Sequence, residues 1–171
     1  MPSAKRRAET RTAGAPQPRN APPAGPRVFV QRDAPAPRRT AAYRRAVLTT
    51  LARAAPQVRG DVTLVFVPDR TMQSLNRRYR GRNRTTDVLS FALGDGGRAG
   101  EPFGDVVISM DAARRQARGY NSSVESEVTR LVVHGTLHLC GFDHHERREA
   151  ARMHGMTRRL LRALRGARAR V

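Results

Sequence analysis

The stretch LVVHGTLHLCGFDHHE, Leu131 to Glu146, holds four of the five histidines in the chain. Three of them, His134, His138 and His144, follow the pattern H-x-x-x-H-x-x-G-x-x-H. Placed four apart on a helix, His134 and His138 lie about 40° apart around its axis and share one face. Two imidazoles so placed can reach one tetrahedral metal ion. Gly141 is a natural helix stop. A turn through Phe142 and Asp143 then brings His144 back as a third ligand. Three protein nitrogens leave a fourth position for water, which is the design of a catalytic zinc site and not of a closed structural one. Zinc lowers the pKa of its water to about 7 and so supplies hydroxide at neutral pH. Zinc proteases with this spacing carry Glu directly after the first His as general base. Here that residue is Gly135, which disfavours a peptidase. Asp143 is either a carboxylate that orients a ligand imidazole or a turn residue. Cys140 is a metal ligand in principle, but a small apolar role suits it better. His145 and His154 read as single surface or helix-face residues.

A second candidate is LNRRYRGRNRTTDVLSF, Leu75 to Phe91, with Arg77, Arg78, Arg80, Arg82 and Arg84 and no acid among them. Taken alone, such a run is an ordinary solvated face. Beside a metal cleft it would hold a phosphodiester, since guanidinium grips phosphate bidentately. The whole chain points the same way. It has 171 residues, 33 Lys+Arg against 14 Asp+Glu, and a net charge of +19. That imbalance favours a polyanionic partner.

These residues need elements to position them. Arg27 to Asp33 reads as a first strand, and Thr40 as the cap of a helix from Ala41 to about Ala55 with an apolar stripe of Tyr43, Val47, Leu48 and Leu51. Asp61 to Val67 alternates and is rich in β-branched residues, as a strand requires. Asp69 reads as the cap of a helix through Met72, Leu75 and Tyr79. Strands follow at Thr86 to Leu93 and Asp105 to Met110, with a turn-rich loop between them, and a short helix begins at Asp111. Ser122 and Glu125 form a capping box for the histidine helix, whose stripe begins Val124, Val128, Leu131, Val132. A final helix, about Arg147 to Ala167, carries Met153, Met156, Leu160, Leu161 and Leu164 opposite an arginine face. The order is mixed α/β: a single domain with a small mixed sheet packed by helices, and the zinc site on a helix and its following turn.

Residues 1–26, rich in Ala, Pro and Arg, have no apolar period and read as a disordered basic extension to a domain over 27–171. The extension lacks the apolar core of a secretory signal, though it shares the Arg-rich, acid-poor composition of transit peptides. No run of about 18 apolar residues suggests a membrane span. A lone cysteine permits no disulfide within the chain, which fits a reducing cytoplasm.

The motifs together resemble one family. HGTLHLCGFDH is similar to the H-G-x-L-H-L-x-G-[YF]-D-H signature of the YbeY family of bacterial rRNA maturation endoribonucleases. LNRRYRGRNRTTDVLSF resembles its L-N-x-x-Y-R-x-x-D-x-P-T-D-V-L-S-F motif, and FGDVVIS its G-D-I-x-I-S strand. The resemblance covers about residues 27–160. It implies one zinc ion per chain on His134, His138 and His144, and metal-dependent cleavage of single-stranded RNA. It further implies a role in small-subunit rRNA 3′-end processing and ribosome quality control. The partners implied are rRNA, ribosomal particles and ribosome-associated proteins, in the cytoplasm and away from membranes. Arg80 matches the arginine of the Y-R motif and is the candidate catalytic phosphate contact; Arg77, Arg78, Arg82 and Arg84 are RNA-binding candidates. The chain departs from the pattern at Asn83 (usually Asp), Thr85 (usually Pro) and Ala92 (usually Pro). A protein of a different class, an RNA- or ribosome-binding assembly factor with structural zinc, would share the same metal and charge.

Overall fold

The computed structural model describes residues 25–143 and 146–166. The 1–26 extension therefore lies, but for its last two residues, outside the described residues, as does His144. The elements follow in the order β1 (Val28–Arg32), α1 (Thr40–Ala54), β2 (Asp61–Val67), α2 (Asp69–Arg80), β3 (Val88–Ala92), β4 (Pro102–Ser109), α3 (Met110–Gly119), α4 (Val124–Leu139) and α5 (Arg147–Gly166). The strands form one sheet in the order β1-β2-β4-β3. β1 and β4 run parallel to β2, and β3 runs antiparallel to β4. The sheet is mixed and helices pack on it, as expected.

Strand alternation divides the apolar side chains between two cores. Val62, Leu64 and Phe66 of β2, with Val106 and Ile108 of β4, face a large core shared with α1, α4 and α5. Val65 and Val67 of β2 and Val107 of β4 face the opposite way, beside Leu89 and Phe91 of β3, and there Met72 and Leu75 of α2 cover the sheet. A period of two sends neighbours to opposite faces. α4 is the central helix of the larger core: Val128, Leu131, Val132, Val133 and Leu137 are all fully buried. Burying each such side chain contributes about 1.5–3 kcal/mol.

The helix starts differ from expectation at three places. α1 begins at Thr40 itself behind Arg39, with no side-chain cap; the Thr40 hydroxyl instead accepts from Arg32. α2 starts at Asp69 behind Pro68, and its first carboxylate is drawn into tertiary hydrogen bonds described below. α4 is capped by Ser123, whose hydroxyl accepts from the Ser126 N–H at 3.2 Å. Ser122 lies one residue too early for a helix that begins at Val124, and its N–H, which Glu125 would need for a capping box, goes to the Ala117 carbonyl at 2.9 Å. Two strand bounds also move. β4 begins at Pro102, a strand-initiating position that proline tolerates. Gly104 continues it because a Cβ there would meet the Phe91 carbonyl at 2.6 Å and a Leu139 methyl at 2.7 Å. β3 begins only at Val88, since the Asp87 carboxylate takes the Val88 N–H at 2.9 Å. Of the expected apolar stripes, Leu48 and Tyr79 turn outward and are exposed.

Candidate active site

α4 ends in a Schellman turn. Gly141, at φ 81°, lets its N–H reach the His138 carbonyl and the Phe142 N–H reach the Leu137 carbonyl, both at 3.0 Å. This pattern satisfies the last carbonyls and reverses the chain. The His134 and His138 rings stand edge to face with centroids 4.8 Å apart, and both are half-buried. The reversal returns Asp143 to the wall of the cleft that His134 and His138 line. His144 falls outside the described residues, so the expected group of three is represented by two of its members.

The same observations explain Gly135. A Cβ at this position would meet a Val106 methyl at 2.4 Å, a Val88 methyl at 3.0 Å and the Ser90 hydroxyl at 3.2 Å. The residue faces the sheet, not the cleft. Its carbonyl accepts a hydrogen bond from Ser90 at 2.9 Å, which fastens the histidine helix to β3. The position that carries the base of a zinc protease is here the contact at which helix and sheet touch. The missing carboxylate is thus a packing requirement as well as a chemical difference.

The opposite wall is the end of α2 and the arginine loop that follows it. Arg80, Arg82 and Arg84 line the cleft of about 320 Å³ with His134 and His138. Arg77 and Arg78 do not; they lie exposed on the last turn of α2, and Arg78 sits 5.4 Å over the Tyr79 ring. α2 stops at Gly81, φ 67°, and then holds the loop it has released. Asn76, buried on the helix, donates to the Arg84 carbonyl at 2.7 Å, and its own carbonyl accepts from the Arg82 N–H at 3.3 Å. Gln73 donates to Asn83 at 3.2 Å, and the Thr85 hydroxyl to Asp69 at 3.0 Å. Two of the three departures from the family pattern, Asn83 and Thr85, are therefore tethers to α2. Thr85 replaces the rigidity of a proline with a side-chain hydrogen bond.

Asp69 is the hub on the helix side. It also accepts from Ser109 at 2.5 Å and from Arg115 at 2.6 Å. Burial pushes its carboxyl up, but the hydrogen bonds from Arg115, Ser109 and Thr85 outweigh that and hold it below the usual range. At the mouth of β3, Asp87 accepts from Gln116 at 3.0 Å and lies 3.7 Å from Arg130 of α4, which pairs with buried Glu127 at 2.6 Å. Burial works against the charge on Arg130, yet the Glu127 hydrogen bond and the nearby carboxylates raise its pKa. Burial pushes the Cys140 thiol up to about 11, and the side chain packs, partly buried, against the main core.

A family model described as Endoribonuclease YbeY matches residues 31–165. The chain belongs to the YbeY family. It is 45% identical over 122 residues to an Endoribonuclease YbeY of Myxococcus xanthus, covering 67% of this chain and 42% of that protein. A relative of the same description from Anaeromyxobacter is 43% identical over 115 residues, covering 67% and 56%. One from Lysinibacillus sphaericus is 48% identical over 98 residues, covering 52% and 62%. The matched region thus spans about half the length of these YbeY relatives. A solution structure from Thermotoga maritima has the same fold, with a TM-score of 0.60 at 23% identity over 82% of this chain and 90% of that one.

Three contributors were not singled out from sequence: Asn76, Asp87 and Ser90. Asn76 had a usable signal, since it lies four residues after Met72 on the buried face of α2 and is only 3% exposed. A polar side chain so placed is there to satisfy a partner. Ser90 had none, because its partner is a backbone carbonyl 45 residues away.

Proposed function

We propose that this chain is a zinc-dependent endoribonuclease for single-stranded RNA, acting in the cytoplasm in late ribosome maturation and quality control, including 3′-end processing of small-subunit rRNA. The observation that carries the reading is the common cleft: Arg80, Arg82 and Arg84 on one wall, His134 and His138 on the other. Neutral imidazoles at helical spacing suit zinc, and the two rings lie close enough to share one ion. His134, His138 and His144 would hold it, and Asp143, on the wall of the same cleft, would orient an imidazole. The ion would supply a polarised water and offset charge on the phosphate.

The chain's own residues do the rest. The cleft is of the size that holds one small ligand, which favours an unstacked nucleotide over a paired helix. Arg82 and Arg84 grip flanking phosphates. Arg80 reaches the reacting phosphate, where its guanidinium meets the charge that builds up as the attacking oxygen bonds to phosphorus and the bridging P–O bond breaks, the leaving ribose oxygen taking up a proton from water. Gly135 leaves no carboxylate beside His134, so peptide hydrolysis lacks its usual base.

The test is single-turnover cleavage of precursor small-subunit rRNA with saturating, metal-analysed protein, beside complementation of an rRNA-processing defect. Cleavage lost on chelation and restored by zinc is the expected result. A protein that rescues ribosome maturation but cleaves no RNA in any metal-loaded form would be an assembly factor instead.

A further inference from the structure

Next to the cleft, on the other side of β3, lies a second and chemically different hollow. It is an apolar groove of about 230 Å³ between α2 and the sheet, lined by Leu75, Tyr79, Phe91, Leu93, Asp105 and Val107. Tyr79 is 56% exposed and Leu93 55%, so two large apolar side chains stand in water at its rim. The Tyr79 ring is held in place: Phe91 meets it edge-on at 5.0 Å, and the Arg78 guanidinium lies 5.4 Å from its centroid. Tyr79 and Arg80 are consecutive on the last turn of α2, one in the groove and one in the cleft. Their Cα atoms are about 3.8 Å apart, so the two hollows share the end of α2 as a wall.

From this juxtaposition we propose that the Tyr79 groove is a base-stacking subsite, which takes an unstacked nucleobase of the RNA strand whose neighbouring phosphate lies against Arg80. The inference rests on the reading of the cleft as an RNA site. Its chemistry is that of single-strand binders, in which aromatic platforms take bases while arginines track the backbone. The groove suits a base and not a phosphate. Its other walls are apolar or aromatic, and the one acidic side chain among its lining residues, Asp105, disfavours phosphate and accepts from an exocyclic amine. A base bearing such an amine therefore fits better than uracil. Arg78, which misses the cleft, acquires a role here: it stiffens the platform and faces the backbone that enters it.

The experiment uses the full chain and a short unstructured adenine-rich RNA, with affinity followed by anisotropy across a salt series. Tyr79→Ala is expected to weaken binding about 5- to 10-fold, the lower part of the range for loss of one stacked base. The log–log salt slope should not change, because no phosphate contact is lost. Arg80→Ala should instead lower that slope by about 0.7. Tyr79→Phe should bind like the parent. The chain has no tryptophan, so 2-aminopurine in the RNA can report stacking directly, quenched by the parent and not by Tyr79→Ala. Tyr79 is exposed, so melting temperatures should match. If the parent binds RNA and Tyr79→Ala binds it equally well, the subsite is refuted and the cleft reading stands. Should that variant also fail to rescue ribosome maturation, the groove is a protein-docking surface. Equal loss in Tyr79→Phe and Tyr79→Ala would make the contact a hydroxyl hydrogen bond and overturn stacking. A parent that binds no RNA overturns both readings.

Discussion

The two walls of the cleft are built on different principles. The histidine wall is part of the main core: α4 buries most of its length, and Gly135 lets it touch the sheet. The arginine wall is a loop whose residues from Gly81 to Thr85 are exposed, held to α2 through Asn76, Gln73 and Asp69. Apolar burial fixes the first, and polar tethers of about 0.5–1.5 kcal/mol each fix the second. A metal site needs ligands held to a fraction of an ångström, which a packed helix provides. A phosphate track needs charge with some latitude, which a tethered loop provides. Changes on the helix wall should therefore cost metal or stability, and changes on the loop wall should cost rate or affinity.

The largest effect is expected from the helix wall. His138→Ala should abolish stoichiometric zinc by elemental analysis, and with it all cleavage, while the fold survives because the ring is only half-buried. Full zinc occupancy in that variant would show that the ligands lie elsewhere. On the loop wall, Arg80→Ala should keep fold and zinc and bind RNA within a few-fold, yet lose about 10²–10³ in single-turnover rate, the usual cost of one preorganised charge-stabilising donor. A variant that cleaves at the parental rate would remove Arg80 from the chemistry.

Gly135→Ala sharpens the contrast from the stability side. Its methyl would enter a space already held by Val106, and overpacking of this kind costs about 1–3 kcal/mol. Denaturant midpoints should fall accordingly. An unchanged midpoint would mean that α4 can shift off the sheet. The smallest effect is expected at Asp69. Its folded pKa is depressed, so its contribution to stability is present above the unfolded carboxylate value of about 4 and is lost as pH falls through the lower folded value. Asp69→Asn should flatten the loss of stability below about pH 4. Parallel acid titrations of parent and variant would show that the Thr85–Asp69–Ser109 link carries no charge dependence.

Much of this was legible in the chain itself. Helix and strand order, the mixed α/β class and the grouping of His134 with His138 follow from local periodicity and spacing, because a helix turn and a strand pleat have fixed repeats. Gly141 as the stop of α4 was equally local, since only a left-handed residue closes that turn without strain. Tertiary contact decided the rest. Ser122 lost the capping role to Ser123 because α4 begins one residue later, and the end of α3 claimed the N–H that the capping box needed. The arginine run divided, Arg77 and Arg78 away from the cleft and Arg80, Arg82 and Arg84 into it: Arg80 from the last position of α2, Arg82 and Arg84 because Gly81 ends the helix and Asn76 holds the loop that follows. Gly135 is the clearest case. Sequence alone identifies it as a missing base; the fold makes it the point where α4 meets Val106 and Ser90. That contact joins residues far apart in the chain, and no periodicity within either segment encodes it.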